Sequence, residues 1–358
     1  MWVKKIIAYV LAFLGIAVLV LSTSKGLSED IGNRREYIGN REFWWAQQSG
    51  KWGDLTSMSY LDQVARFCEH RSYNFDKVPE GDKNIDLYLY GDSYVMEIPK
   101  EAFHHLDTFV FHYRYDDRDY SINHAKRNIL ILKLSERFIR ERFRSPSLLS
   151  NFRVNGNTSN FPAAQKKPKK AEVDSPFSIR SLFNPHINQN LEYHLFNYNF
   201  LIAPRQLKAV LNYKLFNRAS GDVVISDDGK YLFYKMTVTQ NNICSSYDPL
   251  GEREVSTIVA SLDTIYDNYK RAGFAEIYFS AIPNPVSILQ PGPYNNLIPL
   301  IQDDPKLKMP FIDLYTIFKQ AKDPAILYRA GDTHWNNNGL QIWLHDVNDI
   351  LNRESKKQ

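Results

Sequence analysis

Short runs of strand-forming residues alternate along this chain with stretches of helical spacing, and that alternation limits the folds open to it more than any other feature. Ile85-Asp86-Leu87-Tyr88-Leu89-Tyr90 is rich in strand formers and breaks abruptly at Gly91-Asp92-Ser93-Tyr94, which reads as a strand feeding a tight turn. Thr108 to His112, Asn128 to Leu134 and Ala275 to Ala281 read as further strands. Ser135 to Phe143 predicts a helix opened by a serine N-cap, Pro204 to Asn217 and Val255 to Ala272 predict longer helices, and Gly339 to Leu351 predicts a last one. Met58, Leu61, Val64, Ala65 and Cys68 follow helical spacing, so a helix is expected over 57–70. Asp222 to Ile225 and Tyr231 to Thr237, around Asp227-Asp228-Gly229, predict a hairpin, and Phe311 to Lys319 a strand end followed by helix. Strands alternating with helices predict an α/β domain with a mostly parallel sheet. At 358 residues, with 44% hydrophobic and 14% aromatic content, the chain can build the core such a domain needs.

The first 22 residues are a different material. Lys4 and Lys5 precede an almost unbroken apolar run from Ile6 to Leu21, at the short end of what spans a bilayer core. A signal anchor and a cleaved signal peptide both fit, and the small-residue cleavage pattern is weak where Leu19-Val20-Leu21 meets Ser22-Thr23-Ser24. In either case the basic start favours the inner side, so the body is expected outside the cytoplasm, on a single-pass protein of the cytoplasmic membrane. Residues 23–84 then form a juxtamembrane segment with clustered aromatics (Phe43, Trp44, Trp45, Trp52) and the leading helix. Residues 85–143 are the first part of the α/β domain, and 177–358 the second. Between them, 144–176 is rich in Ser, Asn, Pro and Lys and reads as a linker or insertion, its Lys166-Lys167-Pro168-Lys169-Lys170 run being a solvated charge cluster.

A net charge of +4, from 44 basic against 40 acidic residues, offers no electrostatic footprint for nucleic acid. The two cysteines, Cys68 and Cys244, do not make a disulfide scaffold, and whether they pair is open. No spacing of ligand residues suggests a metal or cofactor. His104, His105 and His112 have no companions and read as ordinary helix or strand histidines.

Chemistry is concentrated in two places. A serine hydroxyl becomes a useful nucleophile when a base accepts its proton and a third group fixes the tautomer of that base. Ser93 follows a strand, at the C-terminal edge of the expected sheet, where open α/β folds place their sites. Asp332-Thr333-His334 lies in a loop before the last helix, and its spacing lets one loop present a carboxylate to Nδ1 while Nε2 faces the serine. Each motif alone is ordinary turn sequence, but the pair is informative.

The segments Leu89-Tyr90-Gly91-Asp92-Ser93-Tyr94 and Ala330-Gly331-Asp332-Thr333-His334-Trp335-Asn336 resemble the two signature blocks of the SGNH (GDSL-like) hydrolase and acyltransferase superfamily. The Asp-Thr-His-Trp form is closer to the branch that O-acetylates alginate and related exopolysaccharides. Ser226 to Tyr234 is similar to that branch's "dGxLF" stretch, Tyr278 to Asn284 to its strand ending in Pro, and Asn128 to Arg137 to its strand ending in Glu-Arg. The chain departs from the branch in block order, since Ser93 precedes the Asp-x-His block as in the hydrolases. It also lacks the Gly-x-Asn-Asp block that gives hydrolases an oxyanion-hole Asn.

The resemblance implies a three-layer α/β/α, flavodoxin-like SGNH domain and a covalent acyl-enzyme on Ser93, with His334 as base and Asp332 holding its ring. It implies transfer of an acyl group, acetyl first, to a polysaccharide acceptor, beside a membrane-bound O-acyltransferase partner, with no cofactor. A carbohydrate esterase on the same residues and a non-catalytic glycan-binding assembly protein are the alternatives. Oxyanion donors could be the Ser93 N–H, at a helix start, or Arg137, by resemblance. Arg137 is equally read as a salt bridge to Glu136 or a neighbour. Tyr94, Asn284, Tyr294 and Asn295 are candidates to line a sugar site, and Trp335 either packs over the imidazole or stacks on a sugar face. Asp92 is expected to brace the turn.

Overall fold

A computed structural model of the chain describes residues 2–23, 52–70, 72–75, 82–143, 149, 151–154, 202–219 and 221–357. Most of 144–176, and the aromatics Phe43, Trp44 and Trp45, lie outside these. The chain divides into two compact units, one of residues 1–51 and 165–216, the other of 52–164 and 217–358. In the first, helix α1 (Trp2–Thr23) is long and apolar enough to cross a membrane, a test that a signal sequence also passes.

The second unit is built on a five-stranded, all-parallel sheet. Its strands are β1 (Ile85–Gly91), β2 (Leu106–Tyr113), β4 (Arg127–Ser135), β8 (Glu276–Ile282) and β9 (Phe311–Ile312), in the order β2-β1-β4-β8-β9. β1 is buried along its whole length and β4 along all but its first residue, because a parallel sheet is covered on both faces. That is why Leu87, Leu89, Ile129, Leu130, Ile131 and Leu132 leave almost no polar alternation. Two pairs stand apart: β3 (Arg118–Tyr120) with β5 (Phe152–Val154), and the antiparallel hairpin of β6 (Val223–Ile225) and β7 (Leu232–Tyr234). The hairpin is the one expected around Asp227-Asp228-Gly229.

Helix α2 (Asp54–Ser59) is a single short turn of helix, followed by turns and a 3-10 segment at Ala65–Phe67, where the spacing predicts a continuous helix over 57–70. Tyr60 in the left-handed region stops it, its N–H returning to the Ser57 carbonyl and the Leu61 N–H to the Thr56 carbonyl. Helix α3 (Glu136–Arg142) follows β4 directly. Ser135 stands at its N-cap position but makes no capping bond, since its hydroxyl goes to Asp92 instead. Helix α4 (Ile202–Phe216) belongs to the first unit.

Helix α5 (Glu254–Ala272) buries Ile258, Val259, Leu262, Ile265 and Tyr269 on one stripe and ends at Gly273, whose φ of 108° suits glycine. Short helices α6 (Pro285–Leu289), α7 (Leu297–Gln302) and α8 (Leu314–Gln320) follow. The last helix, α9 (Asn337–Ser355), starts two residues before Gly339 because the Asn336 side chain accepts from the N–H groups of Asn338 and Gly339. Its buried face carries Leu340, Trp343, Val347 and Leu351, and the Trp343 indole donates to Ser280 Oγ on β8 at 2.9 Å. Cys68 and Cys244 are separate thiols, and burial pushes both up from their ordinary pKa.

Candidate active site

The site forms where β1 ends. Asp92 is almost fully buried there and gathers donors from its own turn and from β4: Tyr94 N–H at 3.1 Å, Ser135 Oγ at 2.7 Å, Ser135 N–H at 3.3 Å and the Lys133 ammonium. Burial alone would raise the Asp92 carboxyl, but Lys133 and these hydrogen bonds outweigh it and hold it well below the usual carboxylate range. Burial pushes Lys133 down to about 8, against the pull of Asp92. The pair is therefore ionised near neutrality and pins the turn that presents Ser93. The turn is a succession of tight bonds, Val95 N–H to Asp92 O and Ile98 N–H to Val95 O, so no helix opens at Ser93 and the expected dipole does not bear on its N–H.

His334 comes from a loop closed by a bridge between Tyr328 and Trp335. Three neighbours hold that loop: the hairpin through Leu232 N–H to Ala330 O (2.8 Å), α2 through Thr56 N–H to Gly331 O (3.1 Å), and Tyr94, whose hydroxyl donates to the Thr333 carbonyl. The result brings residues 241 positions apart into contact. Ser93 Oγ lies 2.8 Å from His334 Nε2, and His334 Nδ1 lies 2.6 Å from Asp332 Oδ1. Asp332 also accepts the His334 N–H at 3.0 Å. Burial would raise Asp332, yet the bond to His334 and its charge dominate and hold the carboxyl well below its ordinary range. The fully buried Arg329 has Nη1 3.9 Å from Asp332 Oδ2.

Sequence reasoning missed Asp54. From the first turn of α2 its carboxylate accepts from the Thr333 N–H (2.8 Å) and the Thr333 hydroxyl, and lies 4.0 Å from His334 Nδ1. Although 40% of the side chain meets solvent, burial of the carboxyl and the charge of Asp332 push its pKa up. No sequence signal marks it, because its role depends on where a distant loop docks. Asp54, Asp332 and His334 also form a group of metal-ligand types, with ligand atoms within 4.8 Å of one another. The distances favour a proton relay: a cation on His334 Nδ1 would need the lone pair side that faces Asp332, while Nε2 already meets the Ser93 hydroxyl.

The other expected residues divide. The Tyr94 ring packs 4.4 Å from the imidazole and is buried, so it supports the loop from beneath. Trp335 is fully buried and meets the Tyr94 ring edge-on at 5.4 Å, which removes it from any sugar face. Asn295 bonds the carbonyls of Ser245 and Asp248, and Tyr294 stacks on Tyr315 with its hydroxyl accepting from Ile298 N–H. Asn284 is buried and donates to Ser246 Oγ. These three brace loops.

Arg137 makes no ion pair with Glu136. Glu136 turns inward to accept from Asn284 N–H and Ser287 Oγ, while the Arg137 guanidinium sits 6.0 Å from the Tyr94 ring centre. His104 and His105 bond Asn352, and His112 bonds Tyr120 at 2.9 Å. No protein-family model, curated protein or solved structure matches the chain.

Proposed function

We propose that this chain is a serine acyltransferase of the SGNH type, carried on a membrane-tethered α/β body outside the cytoplasm, which moves an acyl group, acetyl first, to a hydroxyl of an exported polysaccharide. The observation that carries the reading is the unbroken chain Ser93 Oγ, His334 Nε2, His334 Nδ1, Asp332 Oδ1, at 2.8 and 2.6 Å. In its support, the order β2-β1-β4-β8-β9 is the flavodoxin-like order counted over the five main strands, and Ser93 follows the strand at which that order reverses. The basic residues Lys4 and Lys5 before α1 favour the outward orientation. A membrane-bound O-acyltransferase that exports the acyl group is the partner the resemblance implies.

His334 Nε2 takes the Ser93 proton as Oγ attacks the acyl carbonyl of the donor, and the imidazolium then protonates the departing group, leaving an acyl ester on Ser93. A sugar hydroxyl next gives its proton to His334 and attacks that ester, and the proton returns to Ser93 as the acylated sugar leaves. Asp332 keeps Nδ1 protonated and steadies the cation in both steps.

The test is to incubate the full chain, in detergent, with an activated acetyl ester and weigh the intact protein. One added acetyl group on Ser93, absent from Ser93→Ala and from His334→Ala, is the expected result. An unmodified wild-type serine, or a mass gain that survives Ser93→Ala, overturns it. Acetate released in place of acetylated glycan makes the protein an esterase on the same residues.

A further inference from the structure

Beside Ser93 the C-terminal ends of β2 and β4, which flank β1, bring together cations that the relay does not use. Arg114 follows β2, and its N–H bonds Gly91 O, two residues before the nucleophile, at 2.8 Å. Arg137 and Arg142 lie on α3, directly after β4. Phe138 separates the first two, with guanidinium carbons 3.6 Å (Arg114) and 5.0 Å (Arg137) from its ring centre, and Tyr115 lies between Arg114 (4.2 Å) and Arg142 (5.3 Å).

Arg114 Nη2 donates to the Tyr115 hydroxyl, but five other nitrogens of this cluster are buried and unanswered. Among the described residues, Nε and Nη1 of Arg114, Nε and Nη1 of Arg137 and Nε of Arg142 have no hydrogen-bond partner, and Arg114 is only 6% exposed. Three nearby carboxylates are committed elsewhere: Asp92 to Lys133, and Glu254 and Asp248 to Arg140. Burial lowers the Lys133 ammonium to about 8, and the charges of Arg137 and Arg114 add to the fall. Buried guanidinium N–H groups left without acceptors are costly, so such a cluster calls for an anion. A guanidinium fork matches the two oxygens of a carboxylate or phosphate, and the aromatic faces on either side fix its plane.

We propose that Arg114, Arg137 and Arg142 form an anion subsite that holds a carboxylate or phosphate group of the acyl acceptor next to Ser93. The assignment to the acceptor rests on the acyl-transfer reading, because the acyl group itself carries no charge. The subsite would hold a charged glycan by its acidic group and leave a neighbouring hydroxyl free to attack the acyl-serine.

Binding tests this apart from turnover. The full-length Ser93→Ala protein in detergent is titrated calorimetrically with oligogalacturonate, with the same oligomer fully methyl-esterified, and with an oligosaccharide phosphate. An acidic oligomer is expected to bind about tenfold or more tighter than the ester, with an affinity that falls as salt rises. Whichever acid binds identifies the group. Arg137→Gln, on the half-buried side of α3, and Arg114→Lys, which keeps the charge but loses the fork, are each expected to weaken it about tenfold.

Equal binding of acid and ester, or acid binding that neither substitution alters, overturns the subsite. If Arg114→Lys fails to fold, Arg137→Gln and the wild-type salt dependence still decide. Since no acyl chemistry is required, the subsite can stand where the serine adduct is missing, and fall where it forms.

Discussion

At the scale of the residue, two carboxylates face one imidazole and do different work. Asp332 bonds Nδ1 directly, whereas Asp54 reaches the ring only across 4.0 Å and spends its hydrogen bonds on Thr333. Asp332→Asn can no longer hold the Nδ1 proton in place and is expected to cut turnover about 10³–10⁴-fold. Asp54→Asn keeps an oxygen for the Thr333 N–H and is expected to lose only about 10- to 100-fold, by letting the loop drift. Ester turnover of the purified variants separates the two, and equal losses would make Asp54 a full member of the relay. Asp332 and His334 are visible in the sequence because both sit in one short motif. Asp54 is not, since 279 positions separate it from Thr333 and nothing local records their contact.

At the scale of the element, the turn after β1 is held by an ion pair rather than by helix geometry. In the unfolded chain Asp92 titrates near the ordinary carboxylate value, while in the fold Lys133 and Ser135 keep it ionised to much lower pH. A depressed carboxyl contributes stability that is fully present above the unfolded pKa and is lost as the pH falls through the folded one. Asp92→Asn leaves the Lys133 ammonium buried without its anion and is expected to cost about 3 kcal/mol at pH 7. Melting curves of wild type and variant should converge as the pH is lowered below about 4. A gap that stays constant into acid would place the stabilisation outside the ionised pair. Strand runs were legible here because β1, β4 and β8 are buried and each carries an apolar stretch, such as Ile129 to Leu132 of β4. The helix expected over 57–70 breaks into turns, since of its spaced apolar residues only Leu61 is buried while Met58 and Ala65 face solvent.

At the scale of the whole molecule, the stretch from Trp52 to Cys68 is part of the wall of the candidate site, although in the sequence it reads as the run-up to the domain. It docks on the Ala330–Thr333 turn so closely that two glycines are obligatory. A Cβ on Gly331 would lie 2.2 Å from the Phe67 carbonyl oxygen and 2.5 Å from Thr56 Cγ2, and one on Gly53, at φ 145°, would lie 2.5 Å from the Gly331 oxygen. Both nearest atoms are backbone, so Gly331→Ala can be accommodated only by moving the turn that carries Asp332 and His334. Overpacking of this kind costs about 1–3 kcal/mol, whereas a shift of about 1 Å at a relay can cost about 10²-fold in rate. Gly331→Ala is therefore expected to lower the melting temperature modestly and turnover far more steeply. Gly15→Ala, with nothing within 4 Å of the added methyl, serves as the control and should change neither. Wild-type turnover in Gly331→Ala would mean that the segment merely covers the turn, and that the relay is positioned by the sheet alone.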